Sequence, residues 1–199
     1  GFGIGVLVSD TGLELTHEDL VGNIFVGRSK NYFIPAPYFG DPIITTNDGD
    51  HGTSVAGLIG AKGWNMVGSR GVAPDALIAG TNFLRSAQFL DYKLDQTKVD
   101  EIDIYNYSYG GGGLIMADTV AAVKDALAFG VKNLRAGKGA IYVKSAGNEF
   151  RECTAILNIC RSGDASLGNI NHLPYAIVVG AGFAGLYAMV RGVDEKRPG

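Results

Sequence analysis

Apolar residues are distributed along the chain in two alternating patterns: short continuous runs, and longer stretches in which they recur every three or four positions. The short runs GVLVS, LIAGTNF, IDIYNY, AIYVKSA and YAIVVG predict buried strands at Gly5–Ser9, Leu77–Phe83, Ile102–Tyr107, Ala140–Ala146 and Tyr175–Gly180. Between them, the small-residue stretch His51–Ala61 reads as a closely packed helix. Ser86–Val99 shows apolar Phe89, Leu90, Leu94 and Val99, and Ile115–Leu134 carries an apolar face through Val120, Val123, Leu127 and Val131. Strands alternating with helices predict an α/β fold: three layers, with a mostly parallel central sheet and helices on both faces. No repeat or low-complexity linker divides the pattern, so it is read as one α/β domain.

In an open parallel sheet, ligands gather outside the carboxyl ends of the strands. Polar residues at those ends are therefore the functional candidates. The first strand runs into SDTG and places Asp10 there, and AIYVKSAGN delivers Asn148 to the same edge. Either residue alone is an ordinary turn former. His51, inside NDGDHGTSVAG, changes that reading. An acid, an imidazole and a carboxamide are the orienting acid, general base and oxyanion donor of nucleophilic acyl transfer. His17 and His172 lie outside such settings and read as surface or turn residues.

Composition narrows the remaining classes. With 46% hydrophobic residues among 199, the chain can bury one sizeable core. A net charge of -3 without a dense Lys/Arg run argues against a nucleic-acid or membrane-surface partner. No apolar stretch reaches the ~18 residues needed to span a bilayer, and no charged-then-apolar leader opens the chain. Cys153 and Cys160 sit in the loop-like stretch ECTAILNICRSG, where a local disulfide and two free thiols are both open. Two thiolates without a nearby His or second Cys pair do not complete a tetrahedral metal site.

The chain resembles the subtilisin-like serine proteases of peptidase family S8, in the kexin and proprotein-convertase branch. VLVSDTG is similar to the family's aspartate motif, DHGTSVAG to its histidine motif and YVKSAGNEF to its oxyanion-asparagine motif. The resemblance runs over about residues 1–182 and implies a partial peptidase domain there, with 183–199 as a divergent tail. It implies Asp10 and His51 as two members of an Asp-His-Ser triad and Asn148 as oxyanion donor. It also implies a substrate cleft walled by Ser108, Tyr109 and Gly110 on one side and by Ser145, Ala146 and Gly147 on the other. Asp19, in LTHEDL, matches the family's calcium-ligand aspartate, so a structural calcium ion is expected and no catalytic cofactor. The expected partner is a peptide or protein substrate, and the expected setting is secreted or periplasmic.

One family element is missing. The nucleophilic serine of such proteases lies in a GTS-x-x-A-P motif beyond the asparagine, and the only GTS here, Gly52–Ser54, belongs to the histidine motif. The expectation is a protease domain whose serine lies outside this chain, inactive by itself. A nucleophile-free peptide binder is an alternative. A second is FAD or NAD(P) binding, because AIVVGAGFAG spaces Gly180, Gly182 and Gly185 as G-x-G-x-x-G after a strand. Arg85, where basic-selective relatives tend to carry an acid, predicts that paired basic residues are not strongly preferred.

Overall fold

The computed structural model describes residues 1–32, 40–42, 49–82, 84, 99–110, 119, 121–148, 152–154, 159–161, 163–168 and 170–180. Its main sheet contains β1 (Gly5–Ser9), β2 (Leu77–Thr81), β3 (Ile104–Tyr107), β4 (Ile141–Ser145) and β7 (Ala176–Val179), in the order β2-β1-β3-β4-β7 and parallel throughout. Two helices accompany it among the described residues, α1 (His51–Gly60) and α2 (Ala121–Asn133). The expected strands form within one or two residues of their predicted ends, and the three-layer α/β arrangement is the one the alternation predicts. Ser86–Val99 lies outside the described residues apart from Val99, as do Arg85, Phe83, most of 111–120 and all of 181–199, which include Gly182 and Gly185.

The two faces of the sheet are built from alternate residues of the same strands. Leu7, Tyr105, Tyr107 and Tyr142 point to one side and pack with Leu127 of α2. Tyr105 and Tyr142 stack with ring centroids 4.9 Å apart, and the Tyr105 hydroxyl donates to the Val99 carbonyl. Burial pushes both phenols above their ordinary range, so they remain protonated donors. Val6, Val8, Ile78 and Ile104 point to the other side, where Ala56 of α1 covers them.

That second face is covered unevenly. By register, Ile141 continues the row of Ile104 and Val6, and Ile177 and Val179 continue it onto β7. Ile141, Ile177 and Val179 are 38%, 58% and 52% exposed, whereas Val6 and Val8 beneath α1 are almost wholly buried. Parallel sheets normally carry cover on both faces; among the described residues, none covers this apolar strip over β4 and β7 as α1 covers β1 and β2.

The stretch around the cysteines departs from the loop expectation. Glu152–Thr154 (β5) and Ile159–Arg161 (β6) pair antiparallel as a small separate sheet, with Cys153 opposite Cys160. Strands this short carry too few alternating positions to stand out from a loop.

Leu127 is 1% exposed in the core beneath the sheet, and Leu58 on α1 is 73% exposed. Leu127→Ala is expected to cost about 2–5 kcal/mol in urea unfolding, and Leu58→Ala less than about 0.5 kcal/mol. Equal losses would contradict the assigned core.

Candidate active site at the carboxyl edge of the sheet

Strands β1, β3 and β4 run parallel, so the residues that follow them gather at one edge. After β1 comes Asp10, with no exposed surface. Its Oδ1 accepts from the Thr11 backbone N–H at 2.7 Å and faces His51 Nδ1 at 2.8 Å. The His51 side chain is 56% exposed while that of Asp10 is 0% exposed. The imidazole therefore has one nitrogen fixed against a buried carboxylate and its other side turned toward the surface. Asp10 Oδ2 is buried without a hydrogen-bond partner among the described residues.

The local sequence explains how the helix comes so close. A Cβ at Gly52 would collide with the Gly12 carbonyl oxygen and crowd Asp10 Cβ at 3.0 Å, so only glycine lets the first turn of α1 rest on the Asp10–Gly12 turn. Two polar contacts lock the junction: the Gly52 N–H donates to Thr11 Oγ1 at 3.2 Å, and the Glu14 N–H donates to Thr53 Oγ1 at 3.0 Å. The helix thus carries its own first residue, His51, to the acid.

Two strands away from β1, the chain leaves β4 through Ser145, Ala146 and Gly147 and reaches Asn148, which is exposed. Gly147 has a φ of 97°, a left-handed backbone that turns the chain off the strand direction. Strand spacing puts this point roughly 10 Å across the edge from Asp10. Between them, β3 is followed by Ser108, Tyr109 and Gly110. Burial raises the Tyr109 phenol pKa above its ordinary range, and the Asp10 carboxylate raises it further. Among the described residues, no serine hydroxyl hydrogen-bonds His51.

Asp19 lies elsewhere, 4% exposed beneath the loop 63–69. Its Oδ1 accepts from Asn65 Nδ2 at 2.8 Å and its Oδ2 from the Ser69 N–H at 3.1 Å. Trp64, Met66 and Gly68 of that loop all have positive φ, so the backbone curls around the carboxylate at alternate residues. His17 and His172 take local roles: His17 Nδ1 accepts from the Asp19 N–H, and His172 Nδ1 lies against the Gly168 carbonyl.

The model of the subtilase family, Peptidase_S8, matches residues 1–182. The chain belongs to the subtilase family. Among its subtilase relatives, the "Dibasic-processing endoprotease" of Yarrowia lipolytica is 34% identical over 74% of this chain and 15% of that protein. The "Aeromonas extracellular serine protease" of Aeromonas sobria is 35% identical over 78% of this chain and 25% of that protein. A crystal structure of the serine protease of Aeromonas sobria superposes with a TM-score of 0.72 and 27% identity, over 89% of this chain and 32% of that one. The chain therefore spans a quarter or less of the two curated subtilases it matches and about a third of the solved one.

Sequence reasoning singled out Asp10, His51 and Asn148, but not what holds the pair together. Thr11 and Thr53 are visible beforehand only as polar residues in the two motifs. Lys144, 3% exposed in β4, was passed over inside YVKSAGN. Its signal was a lysine on the same strand face as Tyr142, a buried position.

Asp10→Asn is expected to release His51 from its fixed tautomer, because the amide's NH2 and C=O no longer dictate which ring nitrogen is protonated. Nitrogen NMR of labelled His51 would read this as a change from one dominant protonated nitrogen to a mixture. An unchanged spectrum would show that Asp10 does not orient the ring.

Proposed function

We propose that this domain supplies the acid, the base and the oxyanion donor of a serine endopeptidase, with the nucleophilic serine brought by further polypeptide. The observation that carries the reading is the 2.8 Å contact of His51 Nδ1 with buried Asp10 at the sheet's carboxyl edge, the other side of the ring being exposed. In the proposed reaction, His51 Nε2 takes the proton from the serine Oγ as the oxygen attacks the peptide carbonyl carbon. Asp10 holds the Nδ1 proton and stabilises the imidazolium. The Asn148 carboxamide donates to the oxyanion that forms. His51 then gives its proton to the departing amine, and water repeats the sequence on the acyl-enzyme. Ser108, Tyr109 and Gly110 with Ser145, Ala146 and Gly147 are the proposed walls, and an extended peptide adds between them as a strand.

The open strip over Ile141, Ile177 and Val179 supports the further polypeptide. A segment seated there would complete the cover of the parallel sheet and lie beside α1, whose first residue is His51. Such a segment is the proposed carrier of the serine, and it accords with relatives several times longer than this chain. An extracytoplasmic setting is proposed on the name of the Aeromonas relative. The dibasic processing named for the Yarrowia relative is not carried over.

A polypeptide extended to include a serine-bearing segment is expected to hydrolyse peptides and to react with a serine-directed phosphonate. Its His51→Ala variant should lose at least roughly 10⁴-fold in kcat. An extended protein with full activity after His51→Ala would overturn the reading, and one that binds peptides without cutting them would favour the nucleophile-free alternative.

Calcium is proposed as a structural ion at Asp19. The residue types suit a hard cation: a buried carboxylate and the neighbouring Asn65 carboxamide, whose oxygen accepts from the Val67 N–H at 3.3 Å, beneath a loop whose backbone turns at Trp64, Met66 and Gly68. Bound there, the ion would fix loop 63–69 and take no part in the chemistry. Adding calcium should raise the melting temperature by several degrees in the wild type and leave Asp19→Ala unmoved. Equal melting with calcium and with chelator would remove the assignment.

A further inference from the structure

After Ser145 the chain leaves the proposed wall, and further on it comes back to it. The return is at Asn171, whose amide nitrogen donates to the Ser145 carbonyl at 3.5 Å and to the Ala165 carbonyl at 2.7 Å. The departing end is tied as well: Lys144 Nζ donates to the Tyr109 carbonyl and to the Ser145 carbonyl at 3.0 Å. Between these anchors, beyond Asn148, stands the hairpin of β5 and β6, and both cysteines of the chain lie in it.

The register of the hairpin pairs Glu152 with Arg161, Cys153 with Cys160 and Thr154 with Ile159. Opposite charges set across from each other favour this register. The cysteines hold its central pair, on one face of the ribbon by the pairing itself. Directly opposed residues of an antiparallel pair have Cα atoms about 4.5 or about 5.5 Å apart, according to their place in the hydrogen-bond ladder. Both separations fall within the roughly 4.4–6.8 Å over which a disulfide closes without moving the backbone.

We propose that Cys153 and Cys160 form a cross-strand disulfide that clasps this hairpin. The two thiols give up their protons and two electrons to the disulfide of a thiol–disulfide exchange catalyst, which departs as a dithiol as the Sγ–Sγ bond forms. Such bonds form and persist in oxidising compartments, so the domain matures in one. The bond itself stands on the register alone. Its consequence for catalysis, a shorter free path between Asn148 and the return at Asn171, rests on Asn148 being the oxyanion donor.

The test is a redox titration of the wild-type chain read by mass spectrometry. The protein is equilibrated in glutathione buffers of graded reduced-to-oxidised ratio, with and without denaturing urea, trapped with N-ethylmaleimide and digested with trypsin, which releases Glu152–Arg161 as one peptide. In oxidising buffers that peptide is expected without alkyl groups and lighter by two hydrogens. Half-reduction of the native protein should need a squared reduced-to-oxidised glutathione quotient at least about tenfold higher than in urea, because aligned strands raise the effective concentration of one sulfur at the other. Alkylation of both cysteines at every ratio, glutathione adducts in place of the ring, or disulfide-linked dimers overturn the proposal. So do equal midpoints with and without urea, since the hairpin would then contribute nothing to the bond. None of these outcomes involves Asp10 or His51, so failure here is distinct from failure of the protease reading.

Discussion

The contact between Asp10 Oδ1 and His51 Nδ1 is the interaction on which the proposed chemistry depends. A carboxylate with no solvent exposure is expensive to bury unless donors surround it. Here the Thr11 N–H and the imidazole share one oxygen, while the other has no partner among the described residues. The orphaned oxygen is a stability cost of about 1–3 kcal/mol, borne at the place where charge opposite the histidine is useful. The packing of α1 onto the β1 turn makes the contact unavoidable: Gly52 admits the helix, and Thr11 and Thr53 latch it.

The parallel sheet supplies the second constraint. Since β1, β3 and β4 all end at one edge, residues as distant in sequence as Asp10, Tyr109 and Asn148 are delivered to one region without long loops. Tyr105, Tyr142 and Leu127 form a nearly complete core on one face, which fixes the strand ends rigidly. Among the described residues, the other face is covered over β1 and β2, beneath α1. The same asymmetry leaves room beside His51 for the additional polypeptide that the proposed chemistry requires.

Much of this was legible in the residue pattern. Fully buried strands such as GVLVS announce themselves as uninterrupted apolar runs, and DHGTSVAG announces a tightly packed helix by its small side chains. The acid–imidazole pair was readable because each partner sits at a strand end or helix start that topology brings together. What escaped was non-local. The hairpin of β5 and β6 has only three residues per strand, too short for a period to register. Lys144 was hidden because a single charged residue in an apolar strand does not reveal which carbonyls it will reach. Its partners, Tyr109 and Ser145, become neighbours only when β3 and β4 pair and then part.

The most direct measurement is a crystal structure of the serine-containing, extended polypeptide after reaction with a peptidyl phosphonate. The account predicts phosphorus bonded to a serine beside His51, one phosphonyl oxygen about 3 Å from the Asn148 amide nitrogen, and Asp10 still holding the far side of the ring. Phosphorus attached away from His51, with the carboxylate, imidazole and carboxamide opening onto separate surfaces, would contradict it.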